Sequence, residues 1–524
     1  MKEKIFSIIK EKKNIIIGIT LYVLFLFIVF TNLYTALVSD IECGIKSKLC
    51  FIGVFGFVSI CGAIFIYIVN KKKIKPEYVF LIIASILGVV YLFVTPLFKG
   101  HDEQYHWYKS YAVSTGQFRS SENNGVIGDY LPTMANEIFN RQGFFTQINY
   151  KSSAESWKYS IENKENKETE FVYNEPTAPY SPLQMMPQAL GIAISRLFNA
   201  DIYTQAMCGR LANLVFYIIL GFFSIKVLPK GKYFLVAFLL SPKIMYLSAT
   251  LSGDIFTNSI VIFYFSYILK LKSETKLISK KQMVLLTILA PCVAICKTIY
   301  LPVCFTVIML QKNSFKTNKR RIGFFIFIIT LSIISSLTWI KLSNSITFDS
   351  ELDTLPSQQM KFVKEHLFLF LGVMIRGVCN NCLTWTEDIV GGYMEWGSAL
   401  VEPQIISVII FAIFILAILV DKTDNNKLEF KIWEKIMLLI ISLIVIAGAM
   451  VAMYINWTPL FDGVGGLKII GVQGRYFVPI VLLLAQIAPC KILNIDEKFK
   501  VKWIYIFMFL CNIFAIGNIL IRNI

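Results

Sequence analysis

The stretch YVFLIIASILGVVYLFVTPLF, Tyr78 to Phe98, is uncharged over its whole length and is followed at once by KGHDEQYHWYKSYAVSTGQ, Lys99 to Gln117. A run of about 20 apolar residues has the length that a helix needs to cross the hydrocarbon layer of a bilayer. The polar stretch behind it contains Asp102, Glu103 and His106, and it holds two of the three histidines of the chain. Tyr78 to Phe98 therefore predicts a membrane crossing that brings acidic groups to a membrane surface.

Similar runs recur along the chain, and the composition agrees with them. The 524 residues are 56% hydrophobic and 16% charged, and the mean hydropathy of +0.62 excludes an ordinary soluble protein. Met283–Leu310 is too long for one crossing and is interrupted by Pro291 and Pro302, so we interpret it as two short helices. We predict an all-α, polytopic integral membrane protein with about 13 transmembrane helices. The remaining predicted spans are Asn14–Leu37, Cys50–Asn70, Tyr203–Leu228, Tyr233–Thr250, Ile255–Lys270, Ile322–Ile340, Gln404–Val420, Ile436–Tyr454, Tyr476–Cys490 and Trp503–Leu520.

The formal net charge of +17 is spread over short loops, which argues against nucleic acid as a partner. Lysine and arginine collect in alternate loops such as Lys71–Lys75, Lys226–Lys232 and Lys312–Arg321. This distribution is typical of cytoplasmic loops. The long segment Lys99–Tyr180 is net acidic instead, and we predict it on the outer face. By the same pattern the amino terminus is cytoplasmic, and an odd number of spans puts the carboxyl terminus outside.

The chain is predicted to form a single membrane domain, 1–524, with two long outer loops. The first outer loop, 99–202, contains the acidic motif and the proline-containing run Tyr180–Phe198. Because proline disrupts a helix interior, we expect the helical part of this run to start after Pro187 and to lie along the membrane interface. No internal repeat is visible.

The second outer loop, 342–403, carries TWTEDIVGGYMEWG and, before it, the apolar segment HLFLFLGVMIRGV. We interpret the apolar segment as another interfacial helix. Glu387, Asp388 and Glu395 stand among aromatic residues of this loop. Such a composition suits stacking on sugars, and it occurs equally in packed loops.

Asp102, Glu103 and His106 are the candidate catalytic residues. On a helix, Asp102 and His106 would be four residues apart and would share a face. A carboxylate that is desolvated beside lipid becomes a better general base. The alternative is that these groups only cap or flank the end of a span. His101 and His106 do not have the spacing of a helical zinc-protease motif, which excludes that class of enzyme.

Four cations are candidate substrate-binding residues, namely Arg210, Lys243, Lys297 and Arg475. They lie toward the predicted outer ends of spans, where the positive-inside rule disfavours them and where a charge near hydrocarbon is costly. Arginine binds phosphate oxygens through paired hydrogen bonds, so we expect a lipid-linked phosphate there. The alternative for each cation is packing against a nearby carboxylate or carbonyl group.

Two short motifs complete the set of candidates. In LSGDIF, Leu251–Phe256, either Ser252 or Asp254 is expected to cap the following span, and a role of Asp254 in substrate binding is the alternative. In GVQGRYFVP, Gly471–Pro479, glycines stand on both sides of Gln473 and next to Arg475. Glycine allows a ligand to approach the backbone closely, so Gln473 joins the substrate-binding candidates.

Six motifs occur in the order GHDEQYHWYKSYAVSTGQ, YSPLQMMPQALG, CGRLANL, SPKIMYLSATLSGD, CKTIYLP and GVQGRYFVP. Together they resemble a large bacterial family of predicted membrane proteins, domain of unknown function 2142, over about residues 78 to 490. That family in turn resembles the GT-C glycosyltransferases. Those enzymes span the membrane many times, take a sugar from a polyprenyl-phosphate donor, and keep an essential acidic residue in an early outer loop with interfacial helices after it.

The resemblance implies a GT-C-like fold and functional roles for Asp102, Glu103 and Arg475. Members of the family usually have a proline before the Asp–Glu pair, where this chain has His101. The chain also lacks a separated pair of aspartates. The resemblance therefore implies no required cofactor and leaves a divalent metal open.

We expect a membrane glycosyltransferase that acts on the outer face of a bacterial plasma membrane. Asp102 or Glu103 would remove the proton of the acceptor hydroxyl, and Arg475, helped by Arg210 or Lys297, would stabilise the departing lipid phosphate. The expected partners are a polyprenyl-phosphate donor, a saccharide or glycolipid acceptor and the bilayer. The alternatives are a flippase of lipid-linked saccharides and a non-catalytic envelope scaffold. The lack of paired halves favours an enzyme over a flippase.

Overall fold

The architecture is described from a computed structural model of the chain. By residue number, the structure describes 16, 19–20, 22–31, 33–35, 45–71, 74–143, 147–274, 276–344, 351–392, 394, 404–421, 428–488 and 497–524. Within these residues, 8 helices are long and apolar enough to cross a membrane. The prediction of an all-α, multi-spanning membrane protein is confirmed, whereas the count of about 13 spans stays a prediction.

The helices and strands follow one another along the chain with short connections. Their bounds are α1 (Ile45–Lys71), α2 (Pro76–Val94), α3 (Glu103–Ser114), β1 (Ser121–Asn123), β2 (Val126–Pro132), α4 (Thr133–Gln142), α5 (Tyr150–Glu162), β3 (Thr169–Tyr173), α6 (Pro182–Leu197), α7 (Ile202–Val227), α8 (Lys232–Leu239), α9 (Pro242–Ser248), α10 (Gly253–Ser273), α11 (Lys280–Cys296), α12 (Asn318–Asn344), α13 (Glu351–Glu365), α14 (Leu367–Val390), α15 (Gln404–Val420), α16 (Ile432–Asn456), α17 (Thr458–Asp462), α18 (Val478–Ile487) and α19 (Glu497–Arg522). Short 3₁₀ helices cover Glu175–Thr177, Thr298–Met309, Lys312–Ser314 and Gly474–Phe477.

Helices of span length occur along the whole of the described chain. These spans are Ser47–Val69, Pro76–Val94, Ile202–Val227, Gly253–Ser273, Asn318–Ser343, Leu367–Val390, Ile432–Asn456 and Lys502–Arg522. Shorter apolar helices cover Tyr22–Thr35, Thr298–Met309, Ile406–Val420 and Gly474–Ile487. The two helices predicted for Met283–Leu310 are present as α11 and the 3₁₀ helix that follows it. The predicted interruptions are wrong, because Pro291 and Pro302 lie inside these helices and the break is at Lys297. Leu367–Val390 departs from the prediction, because the expected interfacial helix is the first half of a helix of span length.

Glycines determine how closely α2 and α7 pack, and this packing positions one side of the candidate site. A Cβ at Gly88 of α2 would overlap the side chain of Leu214 on α7, and a Cβ at Gly221 of α7 would overlap the ring of Phe80. Small residues at such crossings let two backbones approach where the lipid offers no hydrophobic drive for association. The close approach brings Arg210 of α7 to the carboxyl end of α2.

The single span predicted for Tyr233–Thr250 is wrong. The segment forms two short helices, α8 and α9, and α9 begins at Pro242. Proline has no N–H to continue a helix, and the preceding Ser241 has the extended conformation that proline favours, with φ −63° and ψ 144°. The break places Lys243 in the interior of the molecule, near the site.

Helix α6 also begins elsewhere than predicted. It starts at Pro182, five residues before Pro187, because the side chain of Ser181 accepts a hydrogen bond from the N–H of Leu183 and caps the helix. Pro182 fits the first helical position, where an N–H has no partner. Pro187 lies inside α6 and is tolerated there.

A small antiparallel sheet in the order β1–β2–β3 lies between α3 and α6 along the chain, where the sequence analysis predicted no strands. Gly128 pairs with Tyr173 and Tyr130 pairs with Phe171, so these residues share the outer face of the sheet. The opposite face is buried and includes Asp129, which lies 3.8 Å from the amino group of Lys109 on α3. That contact ties the sheet to the helix that carries the acidic motif.

Candidate functional site

Glu103 and Arg210 form a fully buried ion pair at the junction of α3 and α7. Arg210 Nε and Nη2 each lie 2.7 Å from one carboxylate oxygen of Glu103, and its Nη1 donates to the carbonyl oxygen of Thr95 at 2.7 Å. The two Glu103 oxygens also accept from the backbone N–H groups of Gly100 at 3.0 Å and Leu251 at 2.9 Å. With such a complete set of partners, Glu103 has the geometry of a structural brace between three segments.

Asp102, the neighbouring residue, is in a different environment. Its side chain is 34% exposed, compared with 1% for Glu103. Its backbone is left-handed, with φ 55° and ψ 18°, at the residue that precedes α3. The carboxylate forms an ion pair with Nη2 of Arg475, whose Nη1 donates to the carbonyl oxygen of His101 at 3.4 Å. Asp102 therefore lies at the open edge of the site.

Arg475 connects this open edge to the interior. Its Nε lies 3.4 Å from Oδ2 of Asp254, and its backbone N–H donates to Oδ2 of Asp388 at 3.2 Å. A Cβ at Gly474 would overlap the carbonyl oxygen of Trp385 on α14, so glycine is what allows this segment to reach α14. The guanidinium is buried, with one side toward Asp102 and another toward Asp254.

Asp254 and Lys297 form a second ion pair at the start of α10. The capping alternative for Asp254 is resolved by Ser252, whose hydroxyl accepts from the N–H of Asp254 at 3.3 Å and caps α10 itself. The ammonium of Lys297 also lies over the rings of Tyr180 and Tyr476, at 5.5 and 4.8 Å from their centroids. Such cation–π contacts stabilise a desolvated ammonium group.

Lys243 and Asp388 form a third pair, with 2.7 Å between Nζ and Oδ1. From the sequence, Asp388 was only one of three acidic residues among the aromatic residues of the second outer loop. The structure places it near the carboxyl end of α14, where it lies between the buried Lys243 and the backbone of Arg475. The TWTED motif was the one signal for it.

The described charges of the site balance. Arg210, Lys243, Lys297 and Arg475 face Glu103, Asp388, Asp254 and Asp102, respectively, in the ion pairs. The structure thus brings together seven of the nine candidate residues in ion pairs and adds Asp388 to them. Glu395 lies outside the described residues.

The remaining two candidates are His106 and Gln473. His106 is buried, its Nδ1 lies 3.4 Å from the N–H of Gly253, and its ring packs on Tyr180 with 5.6 Å between centroids. Burial lowers the pKa of His106 to about 4, so the imidazole is neutral at physiological pH. Gln473 precedes the 3₁₀ helix of Arg475, and its buried Oε1 accepts no hydrogen bond from the described residues.

His101 shares this dry environment. Burial, together with the nearby charges of Lys243 and Arg475, lowers the pKa of His101 well below its ordinary value. Its Nδ1 is buried and has no hydrogen-bond partner in the part of the chain that the structure describes. Within the same residues, no group of three or more His, Cys, Asp and Glu side chains is arranged to hold a metal ion.

Fold and site together define a polytopic α-helical membrane protein with a buried, charge-balanced cluster at one end of its helices. The chain belongs to the family described as "Predicted membrane protein (DUF2142)", which matches residues 85–484. No curated protein matches the chain. No solved structure matches it either.

Proposed function

We propose that the protein is a membrane glycosyltransferase that moves a sugar from a polyprenyl-phosphate donor to a saccharide or glycolipid acceptor. The observation that carries the proposal is the Asp102–Arg475 pair, in which a partly exposed carboxylate lies beside a buried guanidinium at the end of the membrane helices. This transfer needs a base and an anion-binding group close to each other. The resemblance of the family to the GT-C enzymes supports the same reaction.

In the proposed reaction, Asp102 accepts the proton of the acceptor hydroxyl while that oxygen attacks the anomeric carbon. The bond from the anomeric carbon to the phosphate oxygen breaks, and its electron pair leaves with the lipid phosphate. Arg475 stabilises the negative charge that develops on this leaving group, with help from Lys297, whose side chain is 13% exposed. A single displacement inverts the anomeric configuration.

Arg210 takes no part in this step, although the sequence analysis included it as a possible helper. Its guanidinium is completely buried and already binds Glu103 and the carbonyl oxygens of Thr95 and Pro96. We assign Glu103 and Arg210 to positioning the loop that carries Asp102. This assignment leaves Asp102 as the base.

The outer face of the small sheet is suited to the acceptor. Tyr130 and Tyr173 are about half exposed there, and Phe171 packs edge-on against Tyr130 with 5.2 Å between ring centroids. Tyr105, on the same helix as the acidic motif, contacts Tyr173 with 6.5 Å between centroids. Exposed aromatic rings stack on the apolar faces of sugars. We propose that the acceptor saccharide follows these rings toward Asp102.

The proposed location is the plasma membrane of a bacterial cell, with the site on the outer face. Alternating basic loops support this orientation through the positive-inside rule. Residues 1–15, which would carry the cytoplasmic amino terminus, lie outside the described residues. The reaction would use no soluble nucleotide, and whether a divalent ion takes part is decided by adding a chelator to the assay below.

The test is to incubate the purified protein with polyprenyl-phosphate sugars and an acceptor glycan, and to follow release of the free lipid phosphate. We expect release with the wild type and a loss of about 10²–10⁴-fold with Asp102→Asn. Asp462→Asn, at an exposed carboxylate of α17, is the matched control and should behave as the wild type. Movement of the intact lipid across vesicles without release would favour the flippase, and equal rates for Asp102→Asn would contradict the proposed base.

A further inference from the structure

The balance of charge at the site sets a condition on any phosphate that binds there. Both cations proposed to contact the donor, Arg475 and Lys297, already face carboxylates. A phosphate brought beside Asp102 and Asp254 would add a like charge in a largely desolvated space. Two like charges about 4 Å apart repel more strongly in a partly buried site than in bulk water, because the effective dielectric constant is lower there. Binding is therefore favourable only if one carboxylate moves away.

The surroundings of the carboxylates indicate which one moves. Glu103 is enclosed by Arg210 and two backbone N–H groups. Asp254 lies between Lys297 and Arg475, and Asp388 between Lys243 and the Arg475 backbone. The side chains of Glu103, Asp254 and Asp388 are all less than 10% exposed, whereas that of Asp102 is 34% exposed. Asp102 is the one with solvent to move into.

The backbone conformation of Asp102 also favours Asp102 as the carboxylate that moves. A left-handed conformation is less favourable for a residue with a Cβ than for glycine. Asp102 holds this conformation, with φ 55°, in the bend between Gly100 and α3. Release of its carboxylate from Arg475 would remove one of the contacts that hold it there, so the strain lowers the free energy needed for release.

We propose that the carboxylate of Asp102 occupies the position on Arg475 that the donor phosphate takes, and that the phosphate displaces Asp102 when it binds. This inference rests on the proposed function and adds a regulation to it. A carboxylate that loses its guanidinium partner is a stronger base, because the opposite charge no longer stabilises its ionised form. Asp102 is thus weakly basic in the empty site and becomes an effective base when the donor has bound. The exchange moves only ions and side chains, and no covalent bond changes.

The first test measures binding without any sugar transfer. Asp102→Asn removes the competing charge, so we expect the affinity for polyprenyl phosphate to rise about tenfold, equivalent to about 1.4 kcal/mol. Inorganic phosphate is the second probe. Higher affinity of Asp102→Asn for either probe supports the exchange. The probe whose affinity rises identifies the ligand as a lipid headgroup or a free phosphate. Arg475→Gln should lose binding, and the control Asp462→Asn should not change it. Unchanged or weaker binding to Asp102→Asn would overturn the inference.

A second measurement uses the wild-type protein and so does not depend on how the variants fold. Carboxyl groups are labelled with a water-soluble carbodiimide and an amine, and the labelled residues are identified by mass spectrometry. Polyprenyl phosphate should raise the labelling of Asp102 at least severalfold and leave the enclosed Glu103 unlabelled. Protection of Asp102 by the phosphate would contradict the exchange. If binding and labelling behave as expected but no transfer is detected, the exchange stands and the glycosyltransferase assignment fails.

Discussion

Asp102 and Glu103 are adjacent in the chain and carry the same functional group, yet they belong to two different regions. Glu103 is the first residue of α3 and points into a closed ion pair with Arg210, whereas Asp102 precedes the helix in a left-handed conformation and forms an open pair with Arg475. The difference shows that one motif can supply both a fully buried brace and a partly exposed ion pair at the edge of the site. Backbone conformation, more than residue type, separates the two roles.

The closed pair should give the largest effect when it is broken. Arg210→Leu leaves Glu103 buried without its cation, and loss of one partner of a buried pair destabilises a protein by about 3–5 kcal/mol. We expect little folded protein, measured as the monodisperse fraction in size-exclusion chromatography and as the melting temperature. Arg376→Leu, at an exposed arginine of α14, is the control and should fold normally. Wild-type stability of Arg210→Leu would mean that the brace is not structural.

Donor binding at the Asp102–Arg475 pair should depend on the backbone next to Arg475. Gly474→Ala places a methyl group against the carbonyl oxygen of Trp385, and overpacking of this kind destabilises by about 1–3 kcal/mol. Because Arg475 is the next residue, we expect donor affinity to fall more than stability, measured as KM in the transfer assay beside the melting temperature. Gly372→Ala, where a Cβ meets nothing within 4 Å, is the matched control. Equal KM values for the two variants would separate Gly474 from the site.

Much of the membrane architecture could be predicted from the sequence, because apolar length is a local property. Tyr78–Phe98 and Ile436–Tyr454 correspond to helices of span length for that reason. The break at Pro242 was missed because the apolar run continues through it, although proline was a visible signal. The small sheet was missed because its longest strand has seven residues and its partner β3 is 37 residues farther along the chain.

The candidate residues could be listed from the sequence, but their pairing could not. Glu103 and Arg210 are separated by 107 positions, and Asp102 and Arg475 by 373. No local pattern encodes which carboxylate meets which cation, because that choice depends on how α3, α7 and the Gly474 segment pack. The sequence left packing against carboxylates as the alternative for all four cations. The structure pairs each cation with at least one carboxylate, and Arg475 with two, so the proposed phosphate would have to compete with them.

The burial of His106 close to Asp102 and Arg475 predicts that the stability of the protein depends on pH. The pKa of His106 is about 4 in the folded protein and 6.5 when unperturbed, so the unfolded chain binds the additional proton as the pH falls below 6.5. Stability is therefore complete above pH 6.5 and declines with acidification, by about 1.4 kcal/mol at pH 5.5 for this group. His106→Gln should flatten the decline of the melting temperature between pH 6.5 and 5.5. His366→Gln, at an exposed histidine, should leave the decline unchanged. An unchanged decline for His106→Gln would mean that another group causes the loss of stability in acid.

The smallest expected effect comes from the left-handed backbone conformation of Asp102. Asp102→Gly and Asp102→Ala remove the same carboxylate and should both abolish transfer, but only alanine keeps a Cβ in the left-handed conformation. We expect the glycine variant to be more stable than the alanine variant by about 1 kcal/mol, since relief of the left-handed strain exceeds the entropy that glycine gains in the unfolded chain. At Glu103, whose backbone is helical, the order should reverse, so that Glu103→Ala is more stable than Glu103→Gly. Differential scanning fluorimetry of the four variants measures both differences, and the same order at both positions would remove backbone conformation as the cause of the contrast between the two residues.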